Sequence, residues 1–323
     1  MNLRAHARSL FAVAGLLLIG NVCAAEVIRI GFVAPDEEPR YGELLTGLRQ
    51  GLHALGYRDT ELALHEQRVP RGDRKRAAAA AEALRREHAR VAFVVGTELS
   101  AIVRKTAPEL PIVFITPGDP VRIGLVASLA RPGGNITGMT FEFPELTAKR
   151  LELIREVAPR ARRVAVLYDR RDESPKQGFA SAVQAAQRLG IKLVELHVDE
   201  VQSNASAVNR AGSFNALLVI PGGAISSVSE RVIDHAQRER VITVVSARSE
   251  ATRNALLSYG ASDVEVARQA ARLVDRIAKG QRAAELPVEQ PTKFELAVNM
   301  KTAKALGISI PGSILLRADK VIE

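Results

Sequence analysis

The chain has 323 residues, 47% hydrophobic and 25% charged, with 45 Lys and Arg against 36 Asp and Glu for a formal charge of +9. That length fills one large or two medium domains with well-buried cores. The basic residues are scattered among acids, as where Arg85, Arg86 and Arg90 sit beside Glu82 and Glu87, and there is no Trp, so the pattern is that of a solvated surface and excludes the interleaved basic and aromatic stretch of a single-strand nucleic-acid binder.

At the amino terminus Arg4 and Arg8 precede the apolar run Ser9 to Gly20, then Val22-Cys23-Ala24-Ala25. Charge, apolar run and small residues in that order read as a secretory signal cleaved after Ala25, since about a dozen apolar residues fall short of the ~20 that span a bilayer. Removal would also take Arg4 and Arg8, leaving about 298 residues of charge about +7. Cys23 is the single cysteine; Val22 before it is a poor fit to a lipidation site, and the mature chain is expected to carry no disulfide, thiolate metal site or cysteine nucleophile. The expected location is the periplasm, without membrane insertion of the mature chain.

Next come short Val- and Ile-rich runs alternating with amphipathic stretches. The runs are Val27 to Val33, Glu61 to His65, Val91 to Val95, Pro111 to Ile115, Val164 to Leu167, Leu193 to His197, Ala216 to Ile220 and Val241 to Val245. Between them, Tyr41 to Leu55, Arg74 to Glu87, Leu146 to Val157, Lys176 to Leu189 and Asp263 to Lys279 keep apolar residues at three- and four-residue spacing. This predicts an α/β chain with parallel sheets covered on both faces.

A weak internal echo divides the chain. Ile30-Gly31-Phe32-Val33 leading to Leu55-Gly56-Tyr57 returns as Val164-Ala165-Val166-Leu167 leading to Leu189-Gly190-Ile191, with Gly56 and Gly190 placed as helix C-caps. Two similar α/β lobes in tandem follow. The turn cluster Arg131 to Gly138, ahead of Met139 to Phe143, marks the first crossing. The expected organisation is a signal at 1–25, a first lobe from 26–140 plus about 257–285, and a second from 141–256 plus about 286–323.

Three strings carry a resemblance: Gly118-Asp-Pro-Val-Arg-Ile-Gly-Leu-Val-Ala-Ser-Leu-Ala-Arg-Pro-Gly-Gly-Asn-Ile-Thr-Gly138; Lys149-Arg-Leu-Glu-Leu153; and Leu286-Pro-Val-Glu-Gln-Pro-Thr-Lys-Phe-Glu-Leu-Ala-Val-Asn299 with Lys301-Thr-Ala-Lys-Ala-Leu-Gly307. Together they resemble the ABC transporter substrate-binding family that includes the tryptophan- and tyrosine-binding proteins. The resemblance runs from about Glu26 to Glu323. It implies a type I periplasmic-binding-protein fold, with two doubly wound parallel-sheet lobes and a ligand cleft between them. It also implies a small-molecule solute with an amino acid or related carboxylate favoured, ABC permease subunits as partners, and ligand-induced closure without chemistry.

Open parallel sheets bind ligands beyond the carboxyl ends of their strands. In the first lobe this singles out Ala34 to Arg40, Gly96-Thr97 and Thr116 to Asp119, and in the second Tyr168-Asp169, Pro221 to Ser226 and Ser246 to Ser249. Gly96 and Thr97, opening a helix, are candidates for holding a carboxylate at the positive helix end, against the plain alternative of Thr97 as a cap. Thr116 and Asp119 are candidate polar contacts, with Pro117-Gly118 as a turn. Asp169 is a candidate partner for an amino group beside Tyr168 as an aromatic wall, unless Asp169 pairs with Arg170 or Arg171. Pro221, Ser246 and Arg248, the last for a forked contact with a carboxylate, and Tyr259 complete the set.

An enzyme is not indicated, because no nucleophile stands with a base and His6, His53, His65, His88, His197 and His235 are scattered. No metal or organic cofactor is expected. A repressor on this fold would need a helix-turn-helix ahead of the lobes, where the signal stands. A monomer is expected, and the remaining alternative to transport is a sensor subunit presenting the same solute to a signalling receptor.

Overall fold

The computed structural model describes residues 27–36, 41–141, 144–203, 214–222, 224–225 and 228–323. The segment read as a signal lies outside the described residues.

The first lobe opens with β1 (Ile28–Pro35), α1 (Tyr41–Ala54), β2 (Leu62–Val69), α2 (Arg74–Arg86), β3 (Val91–Val95), α3 (Thr97–Thr106), β4 (Ile112–Thr116) and β5 (Ile136–Thr140). These strands form a parallel sheet in the order β2-β1-β3-β4-β5. Then come α4 (Pro144–Val157), β6 (Arg163–Tyr168), α5 (Glu173–Leu189), β7 (Lys192–His197), α6 (Val198–Ser203), β8 (Ala216–Val219), α7 (Ser229–Arg238), β9 (Ile242–Val245), α8 (Arg248–Arg253) and β10 (Leu257–Ala261). α9 (Asp263–Ala278), β11 (Phe294–Asn299), α10 (Met300–Leu306), α11 (Gly312–Arg317) and β12 (Lys320–Ile322) finish the chain. The second sheet runs β12-β11-β10-β9-β8-β6-β7, with β10 and β11 antiparallel.

Both sheets are buried on both faces. Along β1 and β3, Ile30, Phe32, Val91 and Phe93 pack on the α1–α9 side, while Val33, Ala92 and Val94 pack on the α2–α3 side. In the second lobe Val164, Val166 and Tyr168 face one layer and Ala165 and Leu167 the other. Two-sided burial is why these strands read as continuous apolar runs without polar alternation.

β2, like the edge strands β7 and β12, is less buried. It is an edge strand running to Val69, four residues beyond the predicted His65, because its polar second half finds partners on α1: the Tyr41 hydroxyl donates to Glu66 at 2.5 Å and the Arg68 guanidinium lies 3.7 Å over the Tyr41 ring. Burial and Glu66 push the Tyr41 hydroxyl up to about 12.

The chain passes between the sheets three times. The Arg131 to Gly138 cluster does not itself cross; it leads into β5, which pairs with β4, and the crossing follows Thr140. Leu257–Ala261, expected in the first lobe, pairs with β9 and β11 in the second sheet, so the return comes at Ser262 and α9 packs against α1. Leu286 to Glu289, expected in the second lobe, runs beside β5: the Thr137 hydroxyl donates to the Leu286 carbonyl at 2.7 Å and Glu289 N–H to Gly138 O at 2.9 Å. The last crossing therefore lies between Glu289 and Phe294.

The lobes touch beside the first crossing. Gly118, after β4, has φ +78°, and a Cβ there would stand 2.0 Å from Ser174 Oγ and 2.5 Å from Ser174 Cβ on α5. Its carbonyl accepts from the Thr140 hydroxyl at the end of β5. Gly118→Ala is expected to cost about 1–3 kcal/mol through overpacking. Adding Ser174→Gly should return part of that, leaving the strain of a side chain at positive φ, on the order of 1 kcal/mol. Urea unfolding of the single and double variants checks this; no recovery in the double variant would mean that the Ser174 contact is not what limits the site.

Candidate ligand-binding cleft

The strand order puts the carboxyl ends of both sheets toward each other, and between them lies a cleft of about 1150 Å³. That is somewhat above the ~300–1,000 Å³ usual for small-molecule sites. Of the residues singled out from sequence, Gly96, Thr97, Asp169, Pro221 and Ser246 line it together.

Gly96 ends β3 at φ +99°, a conformation that suits glycine, and caps α3 with its carbonyl, which accepts Ser100 N–H at 3.1 Å and the Ser100 hydroxyl at 2.7 Å. The amides of Thr97, Glu98 and Leu99 have no carbonyl four residues earlier within the helix, and Gly96 at the N-cap has no side chain to cap them. They open on the cleft beside Ile102 and Ile123.

Other candidates lie elsewhere. Thr116 is fully buried and its hydroxyl bonds to that of Thr97, so it supports the wall from behind. Asp119 Oδ1 accepts Val121 N–H at 2.9 Å and Arg122 N–H at 3.3 Å, closing its own turn. Tyr168 points away from the cleft, stacked on Phe179 with ring centroids 4.7 Å apart and donating to Glu195 at 2.6 Å. Burial and Glu195 push its hydroxyl well above the ordinary value. Arg248 pairs with Glu295 at 3.4 Å in a recess of about 10 Å³ between the lobes, next to Glu43 and Asp263. Tyr259 stands on β10 opposite Leu296, its carbonyl accepting Arg150 Nε–H at 2.7 Å. Gly223, Ser226 and residues 37–40 of the predicted loops lie outside the described residues.

Several lining residues were not singled out. Pro70 to Arg74, including Arg71, follow the true end of β2, and placing that end at His65 hid them. Gln202 follows β7, whose carboxyl end belonged on the same principle. Arg122, Asp172, Glu173 and Glu250 stand in turns and helix starts next to predicted loops.

Among the described residues seven carboxylates and four guanidinium groups line the cleft, but most of the carboxylates are engaged locally. Asp73 accepts Arg76 N–H at 2.9 Å, Asp172 accepts Ser174 N–H at 3.1 Å and Glu250 accepts Ala247 N–H at 3.4 Å, each closing a helix start. Glu98 pairs with Arg74 at 3.4 Å and Glu173 with Lys176 at 2.5 Å. Asp169 accepts from Arg171 three times, from the backbone N–H at 3.0 Å, Nε at 2.9 Å and a terminal nitrogen at 3.1 Å. The pairing that competed with ligand contact is thus the one present. Among the described helices that start at the cleft, α3, α7 and α8 have no cap from the N-cap side chain, and at α8 Glu250 bonds the N-cap amide instead.

Two doubly wound lobes facing each other across a polar cleft define a two-lobed solute-binding protein of the type I periplasmic-binding-protein fold. The chain belongs to the ABC transporter substrate-binding protein family, whose model matches residues 29–322. That family binds solutes and is not an enzyme family. The chain is 24% identical over 282 residues to a tyrosine-binding protein of Clostridioides difficile, covering 86% of this chain and 80% of that protein. Among solved structures it is similar to a Streptococcus ABC domain in complex with L-Trp, with a TM-score of 0.83 and 23% identity over 92% of this chain and all of that one. A conserved domain protein of Vibrio cholerae gives 0.82 and 26% over the same shares. Among the described residues no helix is long and apolar enough to cross a membrane.

The Asp169 carboxyl is held below its ordinary value: burial works to raise it, and hydrogen bonds from the Arg171 side chain and backbone, with the charges of Arg171 and Arg170, outweigh that. A depressed folded value means that Asp169 stabilises the fold at pH values above the ordinary ~3.9 and that this contribution is lost as the pH falls through the folded value. Unfolding free energies of Asp169→Asn and the wild type should differ at neutral pH and converge in acid. A difference that does not change with pH would count against the pairing.

Proposed function

We propose that this chain is the periplasmic solute-binding component of an ABC importer. It is exported through a signal at residues 1–25, captures one small carboxylate-bearing solute between its lobes as a monomer, and delivers it to the permease subunits. The solute is an amino acid or a related carboxylate. The names of the tyrosine-binding relative and of the L-Trp complex support that class.

The observation that carries the reading is the amino end of α3. Uncapped amides and the positive end of a helix dipole open on the cleft, and such an end holds a carboxylate without further charge. Leu99, Ile102 and Ile123 beside it are apolar surface for the rest of a small solute. A solute held on both sides favours the closed arrangement by the difference between its affinities for the two states, so capture and closure are one event.

A thermal-shift screen of the mature chain against amino acids, organic acids, sugars and nucleosides tests the solute class. A ligand at 100 times its dissociation constant should stabilise by about 2.7 kcal/mol, and small-angle scattering should show a smaller radius of gyration with it. A shift with sugars or nucleosides alone would remove the amino-acid assignment, and a radius unchanged at saturation would remove closure.

A further inference from the structure

The second lobe meets the cleft through Asp169 and Arg171, and hydrogen-bond accounting there reverses what the two residue types suggest. A carboxylate offers about four lone-pair sites. Arg171 already fills three of those on Asp169, and the Asp169 side chain is 8% exposed. That leaves a solute ammonium group about one lone-pair site, on a carboxylate that is nearly buried. Arg171 has the opposite balance. Its side chain is 60% exposed and lines the cleft, and of the five N–H groups of a guanidinium two are given to Asp169. The other three have no partner among the described residues, and the planar fork fixed through Nε and one terminal nitrogen sets where they point.

We propose that Arg171 is the solute-contacting, specificity-determining residue of the second lobe and that Asp169 is a positioning residue that holds its guanidinium. The second lobe then receives a hydrogen-bond acceptor of the solute: a carboxylate, carbonyl or hydroxyl oxygen. The amino group of an amino acid contributes little to affinity at this wall. The inference rests on reading the cleft as the solute site. It is consistent with the local engagement of Asp172, Glu173 and Glu250 on the same lobe, which keeps those carboxylates on helix starts and on Lys176. The low proton affinity of Asp169 keeps the fork assembled through the neutral range.

The test uses three pairs of probes that differ by the amino group: L-tyrosine and 3-(4-hydroxyphenyl)propanoate, L-leucine and 4-methylpentanoate, L-glutamate and glutarate, with putrescine as an amine lacking an acceptor. Affinities are measured by calorimetry for the mature wild type, Arg171→Gln, Arg171→Lys and Asp169→Asn. In whichever pair binds, the member without the amino group is expected to keep its affinity within about tenfold. Arg171→Gln should weaken both members by about tenfold or more. Arg171→Lys, which restores the charge but not the fork, recovers only part of that, and Asp169→Asn weakens both members less than Arg171→Gln does. Putrescine should not bind. If Arg171→Gln binds as the wild type does, or if Asp169→Asn abolishes binding of the amino acid alone, the inference is overturned while the cleft remains a solute site. If no probe binds the wild type, the solute class itself falls and the inference falls with it. Should Arg171→Gln fail to fold, Arg171→Lys carries the comparison, with wild-type affinity as the overturning result.

Discussion

In a parallel sheet the carboxyl ends of all strands, and the amino ends of the helices that follow them, fall on the same side. Everything that makes this molecule a binder follows from applying that constraint twice. Each sheet has one chemically active edge, lined with turns and unsatisfied amides. Placing the two edges face to face turns them into one cleft, reached from both lobes by residues as far apart in sequence as Arg71 and Glu250. The opposite edges receive helix carboxyl ends, where Arg188 and Lys304 complement the negative dipole end and have no solute to meet.

The same constraint creates an electrostatic problem that the sequence solves unevenly. Several positive helix ends converge on one cavity, and acids placed at helix starts meet most of them: Asp73 at α2, Asp172 at α5 and Glu250 at α8. These carboxylates look like ligand anchors among the lining residues, yet each accepts a backbone N–H at its own helix start. The donors on offer there are the amides of α3 in one lobe and, in the other, the amino end of α7 and the outward N–H groups of Arg171. A mixed-charge lining can therefore behave as a donor-rich site.

The alternating apolar runs made the strands legible, and with them the two lobes, because two-sided burial leaves little room for polar residues at strand centres. Gly190 closes α5 in the left-handed conformation, as its place after Leu189 suggested. The failures have local causes. β2 reads short because an edge strand tolerates Glu66 and Arg68 once Tyr41 packs on them, and the loop after it was lost with its end. Tyr168 and Asp169 are neighbours in sequence, and successive strand residues face opposite sides; Tyr168 belongs to the helix layer, and only Asp169 reaches the cleft. Leu257–Ala261 is placed in the second sheet by pairing with β11, about 40 residues further on, which no local pattern announces. Whether Asp169 accepts from a solute or from Arg171 is a matter of side-chain geometry, and both residue types fit either role.

The crossings suit the closure proposed for this chain. Each lobe has its own pair of apolar layers, so rotation of one against the other need not disturb either core. Two polar bonds stand beside the crossings. Arg150, the largest fully buried side chain, fastens α4 to the Tyr259 carbonyl on the strand that leads into the second crossing, and Thr140 fastens the first crossing to Gly118. Both bonds hold a crossing to one lobe, which concentrates bending into the few residues beyond. Where the lobes do meet near the axis, Gly118 offers Ser174 no side chain, and bulk added so close to a hinge is magnified at the mouth of the cleft. In the proposed closure, contacts near the crossings limit how far the lobes close, and the proposed solute bridging α3 and Arg171 would act at the far end of that lever, where few donors are needed to bias the equilibrium.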